Sequence, residues 1–440
     1  MAILSAPAPA GTGFSDTFSS LDLASRSTVI VAVSGGSDST ALLLLLKHHL
    51  DRGAAATRIV AVTIDHGLRP ESAAEADIVA RLCTRAGVDH RTVRWTGAKP
   101  ATGLQAAARA ARYRLLVDAA SAESADVVLT GHTADDQAET VAMRTSRGDG
   151  RGLAGMAPAT LLDGRVWLLR PLLGIRRDAL RRFLGEAGES WIDDTSNGDR
   201  RFERVRLRVD GHAALPDLQA IARAGAHRHS MGAAAAAMIA SLARLPAPGL
   251  VRVDPGLATE PHRDAAIYAL RILLSQMGGT EQLPDIDRVE NLFARLSGER
   301  FRATLSRAVV DCRREGIFLH RELRGLPASH SVAAGGIWDG RFRLESASGD
   351  AAVIAPAGLD DNPRRERSAA GMSRRLVRDA CAGQPAVCGE SSPHTVIPVL
   401  APWARLLPSF DIKPARALAD LVGAPPVPEP PFRGHIGRRA

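Results

Sequence analysis

Hydrophobic positions in the first half of the chain fall into short apolar runs, each followed by a longer stretch with apolar residues at helical spacing. The runs predict strands and the stretches predict helices. Strands separated by helices of this length pair in parallel, and continuous apolar strands suit a sheet covered on both faces. We therefore predict an α/β domain with a doubly wound parallel sheet. The predicted strands are Ser27–Val33, Arg58–Asp65, His90–Trp95 and Asp126–Thr130, and the predicted helices are Thr40–Leu50, Glu71–Ala86, Leu104–Ala120 and Ala134–Arg144.

This alternation of strands and helices stops near Arg170. Further along, the pattern predicts an amphipathic helix, an Ala-rich helical stretch and two more helices: Arg176–Ala187, Leu215–Leu245, Asp264–Gln276 and Asp285–Leu296. Short apolar runs near aromatic residues, at Gly335–Ser346 and Thr395–Ile412, indicate a small β-containing domain.

These patterns divide the chain into four segments. Residues 1–20 are predicted to be a disordered leader, and residues 21–212 the α/β domain. Residues 213–325 are predicted to form a helical domain. Residues 326–440 are predicted to form a small mixed C-terminal domain with a flexible tail rich in Pro and Arg.

The charge balance favours a polyanionic partner. The 440 residues carry a net charge of +8, and arginine supplies almost all of the positive charge because only Lys47, Lys99 and Lys413 are lysines. Such an excess favours nucleic acid, since each neutralised phosphate releases counterions. A genome rich in Ala and Arg codons would explain the same excess without any nucleic-acid partner.

Neither a membrane protein nor a disulfide-stapled protein is expected. The longest apolar run, Ala41–Leu46, is too short for a bilayer span, and residues 1–14 lack the charged start of a secretory signal. The four cysteines are scattered and form no C-x-x-C pair, which fits cytosolic thiols. We expect a cytoplasmic protein, and the sequence is compatible with a homodimer without fixing the oligomeric state.

The strongest chemical signal is the loop Ser34-Gly35-Gly36-Ser37-Asp38-Ser39, between a predicted buried strand and a predicted helix. Two glycines let the backbone turn tightly beside a ligand, and the helix start presents N–H donors at the positive end of its dipole. Asp38 alone would repel a phosphate, so its natural partner is a Mg²⁺ ion that bridges to phosphate oxygens. The alternative is a Gly/Ser turn that only caps the helix. The chain contains no G-x-x-x-x-G-K-[ST] motif, which argues against a Walker-type NTPase.

Three further segments carry polar residues at predicted strand ends or on a predicted helix: Ile64–Arg69, Ala108–Tyr113 and Thr130–Thr140. In the third, Asp136 and Glu139 are three residues apart on a helix, so they face one direction and could hold an ammonium group or accept its proton. Each segment alone also fits an ordinary structure: a polar turn, solvated arginines, or a capped helix with acidic residues in its first turn.

Together these segments resemble the tRNA(Ile)-lysidine synthetase family of the PP-loop ATP-pyrophosphatase superfamily. S-G-G-x-D-S resembles the PP-loop, and the others resemble the family's D-H-x-L-R and A-R-x-x-R-Y elements and its lysine-binding segment. The resemblance implies a PP-loop ATPase fold of the adenine-nucleotide alpha-hydrolase type. It also implies ATP and Mg²⁺ as cofactors, with the metal at Asp38. The implied ATP-binding residues are Ser34, Gly35, Gly36, Ser37, Asp38, Ser39, Asp65, His66, Arg112 and Gly131.

The resemblance also implies catalytic residues and tRNA contacts. Catalytic roles fall on Asp38, His132, Asp136 and Glu139, and tRNA binding falls on Arg204 and Arg208. The arginines lie in Phe202–Arg208, which resembles the family's F-x-R-N-x-I-R element but has Val205 in place of Asn and Leu207 in place of Ile. Two more segments match family motifs, R-P-L-L at Arg170–Leu173 and W-x-x-D-x-S-N at Trp191–Asn197.

The implied reaction is the ATP-dependent ligation of free L-lysine to C2 of the wobble cytidine in tRNA(Ile) with a CAU anticodon, through an adenylated tRNA. The implied class is a ligase that forms a carbon–nitrogen bond and converts ATP to AMP and pyrophosphate. Three alternatives remain. A sulfur-inserting tRNA enzyme would need suitably placed cysteines, a small-molecule amide ligase would not need the basic charge, and an RNA-binding protein with a decayed loop would not need intact motifs.

Overall fold

The computed structural model describes residues 14, 16–67, 72–97, 99–100, 102–145, 150–193, 217–298, 300–359, 372–388 and 394–433. Contacts between Cα atoms divide the chain into two compact units. The first unit comprises Met1–Ala226 with Pro428–Ala440, and the second comprises His227–Val427. The domain boundaries predicted at residues 212 and 325 stay predictions.

The first unit is built on a largely parallel sheet with strand order β5-β6-β4-β1-β2-β3. Strand β1 pairs in parallel with β2 and β4, β2 with β3, and β4 with β6, whereas β5 and β6 form an antiparallel hairpin. The strands are β1 Thr28–Ala32, β2 Arg58–Asp65, β3 Asp89–Arg94, β4 Val127–Thr130, β5 Ala159–Leu162 and β6 Val166–Leu169. The doubly wound α/β prediction is confirmed.

Helices follow each of the first four strands, and such crossovers return the chain to the end of the sheet from which the next parallel strand starts. They are α1 Ser37–Arg52, α2 Ser72–Ala86, α3 Leu104–Ala122 and α4 Ala134–Thr145, and α5 Arg177–Glu186 follows the hairpin. Helix α3 packs Leu116 and Val117 against Ile30, Val60 and Val128 of the sheet, and all five side chains are almost fully buried. The carboxyl ends of β1 and β4 therefore meet beside the starts of α1 and α4, which is where ligands bind in open α/β sheets.

Phe18 and Phe432 pack into the structure, although the sequence predicted disorder in the segments that contain them. Phe18 lies in the predicted leader, but its side chain is 1% exposed and packs against His49 with ring centroids 5.3 Å apart. Leu21 forms an antiparallel bridge with Phe432, which lies in the predicted flexible tail. The described parts of these segments therefore belong to the fold of the first unit.

The second unit contains a five-stranded antiparallel sheet of order β7-β8-β11-β10-β9. These strands are β7 Ala243–Ala247, β8 Leu250–Val253, β9 Phe301–Leu305, β10 Ala308–Arg313 and β11 Gly316–Arg321. The sequence predicted helices in residues 213–325 and missed this sheet. The predicted helices are present as α6 Leu218–Leu242, α7 Arg263–Gly278 and α8 Ile286–Phe293.

Among the described residues, the rest of the second unit holds two three-stranded antiparallel sheets, β12-β15-β16 and β13-β14-β17, and two α-helices. Leu376, Val377 and Ala380 of the first helix pack against Leu250 and Phe318, which closes one face of the five-stranded sheet. The elements are β12 His330–Val332, β13 Ile337–Trp338, β14 Phe342–Ser346, β15 Ala352–Pro356, β16 Pro385–Cys388, β17 His394–Pro398, β18 Leu406–Pro408, α9 Arg374–Ala382 and α10 Ile412–Val422.

Within the described residues, no helix combines the length and the apolar character that crossing a bilayer requires.

Candidate active site

A cavity of about 600 Å³ opens where β1 and β4 end, a volume in the range of small-molecule sites. Its walls come from the loop after β1, the start of α1, the end of β4, one side of α3 and the first turns of α4 and α5. Residues far apart in the sequence therefore share one space. Cavity-lining residues from the predicted site include Ser34, Gly36, Ser37, Asp38, Ser39, His66, Arg112, Gly131, His132 and Asp136.

The loop after β1 is held in shape by its own serines. Ser39 Oγ accepts a hydrogen bond from the Ser34 N–H at 3.1 Å and donates one to the Gly36 carbonyl oxygen at 3.1 Å. Gly35 has φ of +86°, a left-handed conformation that favours glycine. Gly36 occupies the N-cap of α1 without a capping side chain, and the first-turn residues Ser37, Asp38 and Ser39 line the cavity. Backbone N–H groups at such a helix start are donors for an anion.

Gly131 brings the end of β4 against this loop. A β-carbon at residue 131 would lie 2.8 Å from the Asp38 carbonyl oxygen and 2.9 Å from the Ser39 backbone nitrogen. Both neighbours are backbone atoms that cannot rotate away, so only glycine fits. The glycine thus permits two walls of the cavity to touch, and its predicted role in ATP binding stays a prediction.

Arg177, the first residue of α5, bridges two carboxylates of the predicted site. Its Nε donates to Asp38 Oδ2 at 2.9 Å, and one Nη donates to Asp136 Oδ1 at 3.1 Å. Burial lowers the pKa of Arg177, but the hydrogen bond and charge of Asp38, with the charge of Asp136, outweigh burial and raise it. The guanidinium is thus a permanent cation between the two aspartates.

Asp136 is fixed by the turn that starts α4. Its Oδ2 accepts hydrogen bonds from the Thr133 N–H at 2.8 Å and from the Thr133 hydroxyl at 3.0 Å. Burial pushes the pKa of Asp136 upward, but the Thr133 N–H and the charge of Arg177 outweigh burial and hold the pKa below its usual value. The carboxylate is therefore ionised at neutral pH and faces the cavity.

Three described residues of the predicted site, Gly35, Asp65 and Glu139, lie outside the cavity lining. Glu139 is 3% exposed and lies three residues after Asp136 on α4. Asp65 is 4% exposed and accepts hydrogen bonds from the Gly67 N–H at 2.7 Å and from Arg94 Nε at 2.9 Å. Its carboxylate therefore shapes the turn after β2. The catalytic role of Glu139 and the ATP contact of Asp65 remain untested predictions.

Two histidines line the cavity in their neutral forms. Burial lowers the pKa of His66, and the charge of Arg112 lowers it further. Burial also lowers the pKa of His132 strongly, with the charge of Arg170 adding to the effect. His132 Nδ1 lies 2.9 Å from the Thr130 hydroxyl. A neutral imidazole can donate or accept a hydrogen bond without adding charge.

Several cavity residues were not singled out from the sequence. Arg177 and Arg181 lie on a predicted helix, and Ile192 and Asp193 lie in a segment noted only for its resemblance. Ile192 N–H donates to the Gly35 carbonyl oxygen at 2.9 Å, so this segment covers the loop after β1. One signal could have found Arg177: a cation in the first turn of a helix opposes the helix dipole and needs an acidic partner.

Arg204 and Arg208, the predicted tRNA-binding residues, lie outside the described residues, as do residues 194–197 of the W-x-x-D-x-S-N segment.

The cavity suits a triphosphate better than a metal held by protein alone. In the described part of the chain, no group of three or more His, Cys, Asp or Glu side chains could hold a metal ion. Mg²⁺ is commonly bound by one or two carboxylates together with substrate phosphates, and Asp38 beside the helix start offers one such carboxylate. The exposed cations Arg109 and Arg112 on α3 line the same cavity.

The fold and the site define a class of nucleotide-binding protein. Residues 13–213 match the family model described as a PP-loop domain. Over 432 residues, the chain is 49% identical to tRNA(Ile)-lysidine synthase of Mesorhizobium japonicum, covering 92% of this chain and 94% of that protein. It is 39% identical to the tRNA(Ile)-lysidine synthase of Rhizobium meliloti over 427 residues, which cover 92% of this chain and 93% of that protein. The chain belongs to the tRNA(Ile)-lysidine synthase family.

Among solved structures, the U34-tRNA thiolase NcsA from Methanococcus maripaludis matches with a TM-score of 0.36 and 17% identity, over 50% of this chain and 71% of that chain.

Proposed function

We propose that this chain joins free L-lysine to C2 of the wobble cytidine in tRNA(Ile) with a CAU anticodon, with cleavage of ATP to AMP and pyrophosphate. The supporting observation is the shared cavity: the loop after β1, Asp38 and Asp136 face one space. Family membership over almost the whole chain supports the same reaction. The net charge of +8 suits a nucleic-acid substrate.

The loop after β1 would bind the triphosphate. The first-turn N–H groups of α1 lie at the positive end of the helix dipole, and Arg109 and Arg112 of α3 add cations to the same cavity. ATP supplies the AMP group that makes the C2 oxygen of cytidine a leaving group. Asp38 would hold Mg²⁺ together with phosphate oxygens, and the metal would offset the negative charge that develops there.

Asp136 would bind the lysine ε-ammonium and orient its nitrogen toward C2. The carboxylate is ionised at neutral pH and held rigidly by Thr133, so it can attract a cation without reorganising. An amine attacks only after it loses a proton, and a carboxylate within hydrogen-bond reach can accept that proton. His132, neutral and on the same wall, would contact the base or ribose by a hydrogen bond.

The cysteines do not favour sulfur insertion as the reaction. All four are among the described residues: Cys83, Cys312 and Cys381 are buried, Cys388 is exposed, and none lines the cavity. Burial raises the pKa of the Cys83 thiol to about 11, which keeps it protonated and unreactive at neutral pH. A sulfur carrier would need a reactive thiol near the nucleotide.

The test uses purified protein, ATP, Mg²⁺, radiolabelled lysine and a CAU-anticodon tRNA. We expect labelled RNA only when both ATP and this tRNA are present, and Asp38→Ala should abolish labelling. Asp51→Ala is the matched control, because Asp51 lies on the same helix, is exposed and pairs with Lys47. Labelling of tRNA regardless of its anticodon, or pyrophosphate release without any tRNA, would contradict the proposal.

A further inference from the structure

Arg177 is held by its backbone as well as by its side chain. Its N–H donates to Asp135 Oδ2 at 2.8 Å, and the Ala134 N–H donates to the Ile175 carbonyl oxygen at 2.9 Å. The starts of α4 and α5 are therefore tied together beside the cavity. From this anchored position, the side chain of Arg177 reaches both Asp38 and Asp136.

One guanidinium thus forms hydrogen bonds with two carboxylates and offsets only part of their negative charge. The side chains of Arg177, Asp38 and Asp136 are 20%, 18% and 12% exposed, so water screens their charges only partly. Glu139 adds a further negative charge that acts on Arg177. The cluster carries more negative than positive charge and can accept one more cation, but Arg177 already bonds to the Asp136 oxygen that faces it.

We propose that Arg177 is a positioning residue that makes lysine binding depend on ATP. In the free enzyme its guanidinium neutralises Asp136 and competes with the lysine ammonium. A bound triphosphate beside Asp38 attracts the guanidinium, and Asp136 is released to hold the amine. This inference rests on the proposed function, because it takes lysine as the second substrate.

The geometry favours an exchange of partners for two reasons. The Arg177 side chain contacts the carboxylate nearest the predicted phosphate site through Nε and the amine-site carboxylate through Nη, so a small rotation trades one partner for another. A triphosphate carries several negative charges, and a guanidinium can donate two parallel hydrogen bonds to it. A single carboxylate oxygen accepts only one hydrogen bond of such a pair. Binding of the nucleotide and of lysine must then strengthen each other equally.

The experiment measures lysine binding by titration calorimetry, with and without α,β-methylene-ATP and Mg²⁺, each in the presence and absence of CAU-anticodon tRNA. For the unmodified protein we expect the nucleotide to tighten lysine binding about tenfold, a typical size for coupling between two sites. For Arg177→Gln we expect lysine to bind equally well with and without nucleotide, within about twofold, because the competing cation is gone.

Arg176→Gln is the matched control, since Arg176 is the adjacent residue, is half-exposed and pairs with Asp135 only at 3.3 Å. It should keep the full coupling. Arg177→Lys keeps the positive charge but cannot donate two parallel hydrogen bonds. In this variant the nucleotide should tighten lysine binding less than in the unmodified protein. If Arg177→Gln does not fold, Arg177→Lys tests the inference instead. An unchanged effect of the nucleotide on lysine binding by Arg177→Lys would overturn it.

The two proposals fail differently. If the unmodified protein binds lysine and Arg177→Gln shows the same dependence on nucleotide, the positioning role is wrong and the proposed function stands. If the unmodified protein binds no lysine under any of the four conditions, the proposed function itself is wrong.

Discussion

Gly131 lies so close to Asp38 that a β-carbon on residue 131 would be 2.8 Å from the Asp38 carbonyl oxygen. The contact joins the end of β4 to the first turn of α1, and both of these segments line the candidate site. Because both partners in this contact are backbone, the loop after β1 and the segment that carries His132 are packed too closely to admit even one methyl group between them.

Gly131→Ala should therefore separate these two walls of the cavity. We expect a loss of about 1–3 kcal/mol in the free energy of unfolding, as for other overpacked sites. Activity should fall further, on the order of 100-fold, because displacing reacting groups by about 1 Å has this effect. Urea unfolding and tRNA-dependent pyrophosphate release measure the two effects.

Gly185→Ala is the control for this substitution. Gly185 lies within α5, and a β-carbon there would meet open space. Alanine should stabilise the helix by up to about 1 kcal/mol and leave activity unchanged. Equal behaviour of the two alanine variants would show that the contact with Asp38 does not matter.

Gly35→Ala should be costly mainly because of its backbone. Residue 35 has φ of +86°, and an alanine in a left-handed conformation costs about 1–2 kcal/mol. The added β-carbon would also lie 2.5 Å from Ile192 Cδ1, but that methyl group can move. Ile192→Ala in the Gly35→Ala background should therefore restore little stability, which urea unfolding of the single and double variants can measure. Full restoration would mean that the side-chain clash dominates.

Asp65→Asn should destabilise the protein in a pH-dependent way. Burial pushes the pKa of Asp65 upward, but the Gly67 N–H and Arg94 outweigh burial and hold it below 3.8. A carboxyl whose pKa is lower in the folded state stabilises the fold above its unfolded pKa, and this contribution disappears as the pH falls through the folded pKa. The stability difference between the unmodified protein and Asp65→Asn should thus be constant above about pH 5 and shrink below about pH 4.

Urea unfolding at a series of pH values tests this expectation. Asp89→Asn provides the comparison, because Asp89 is 60% exposed and pairs with the half-exposed Arg58 on the surface. Its effect should be below about 1 kcal/mol at every pH. A stability difference for Asp65→Asn that grew on acidification would contradict the assigned direction of the pKa.

Asp339 in the second unit should be one of the most sensitive positions for stability. Its side chain is fully buried and pairs with Arg321 at 3.0 Å and with Arg341 at 2.8 Å, which are themselves buried. Burial lowers the pKa of Arg341 to about 10, although the charge of Asp339 acts in the opposite direction. Asp339→Asn would leave buried guanidinium groups without their counter-ion, so we expect a loss of about 3–5 kcal/mol by thermal or urea unfolding.

An exposed ion pair of the same unit serves as the reference. The side chains of Glu281 and Arg405 are 52% and 65% exposed, and Arg405 Nε lies 2.9 Å from Glu281 Oε1. Glu281→Gln should change the free energy of unfolding by less than about 1 kcal/mol. Similar effects of the two substitutions would refute the importance of burial at Asp339.

The parallel core of the first unit could be predicted because its signals are local. Strand β2 has the predicted bounds, Arg58–Asp65, since a continuous apolar run between turn residues marks a buried strand. The hairpin of β5 and β6 was missed because each strand has only four residues. A signal was present: Asp163 and Gly164 have φ of 47° and 71°, and Asp-Gly is typical of hairpin turns with two such residues.

The candidate site was only partly predictable because its partners are distant in sequence. Arg177 and Asp38 are 139 residues apart, and no pattern of hydrophobic and polar positions reveals such a pair. Helical spacing placed Asp136 and Glu139 on one face, but it could not tell which of the two reaches the cavity. The five-stranded sheet of the second unit was missed for a related reason, since antiparallel pairing between Val251 and Leu319 leaves no local signal.

The bridge between Leu21 and Phe432 constrains the order of assembly during synthesis. The Asp22 N–H donates to the Pro431 carbonyl oxygen at 3.0 Å and the Arg433 N–H to the Ser20 carbonyl oxygen at 2.7 Å. The ribosome must translate the entire intervening second unit before these bonds can form. A nascent chain could complete its nucleotide-binding core early, but residues 20–22 can pair with residues 431–433 only after the second unit has been made. Deleting residues 428–433 should therefore leave a core that folds but loses order around Leu21, ahead of β1.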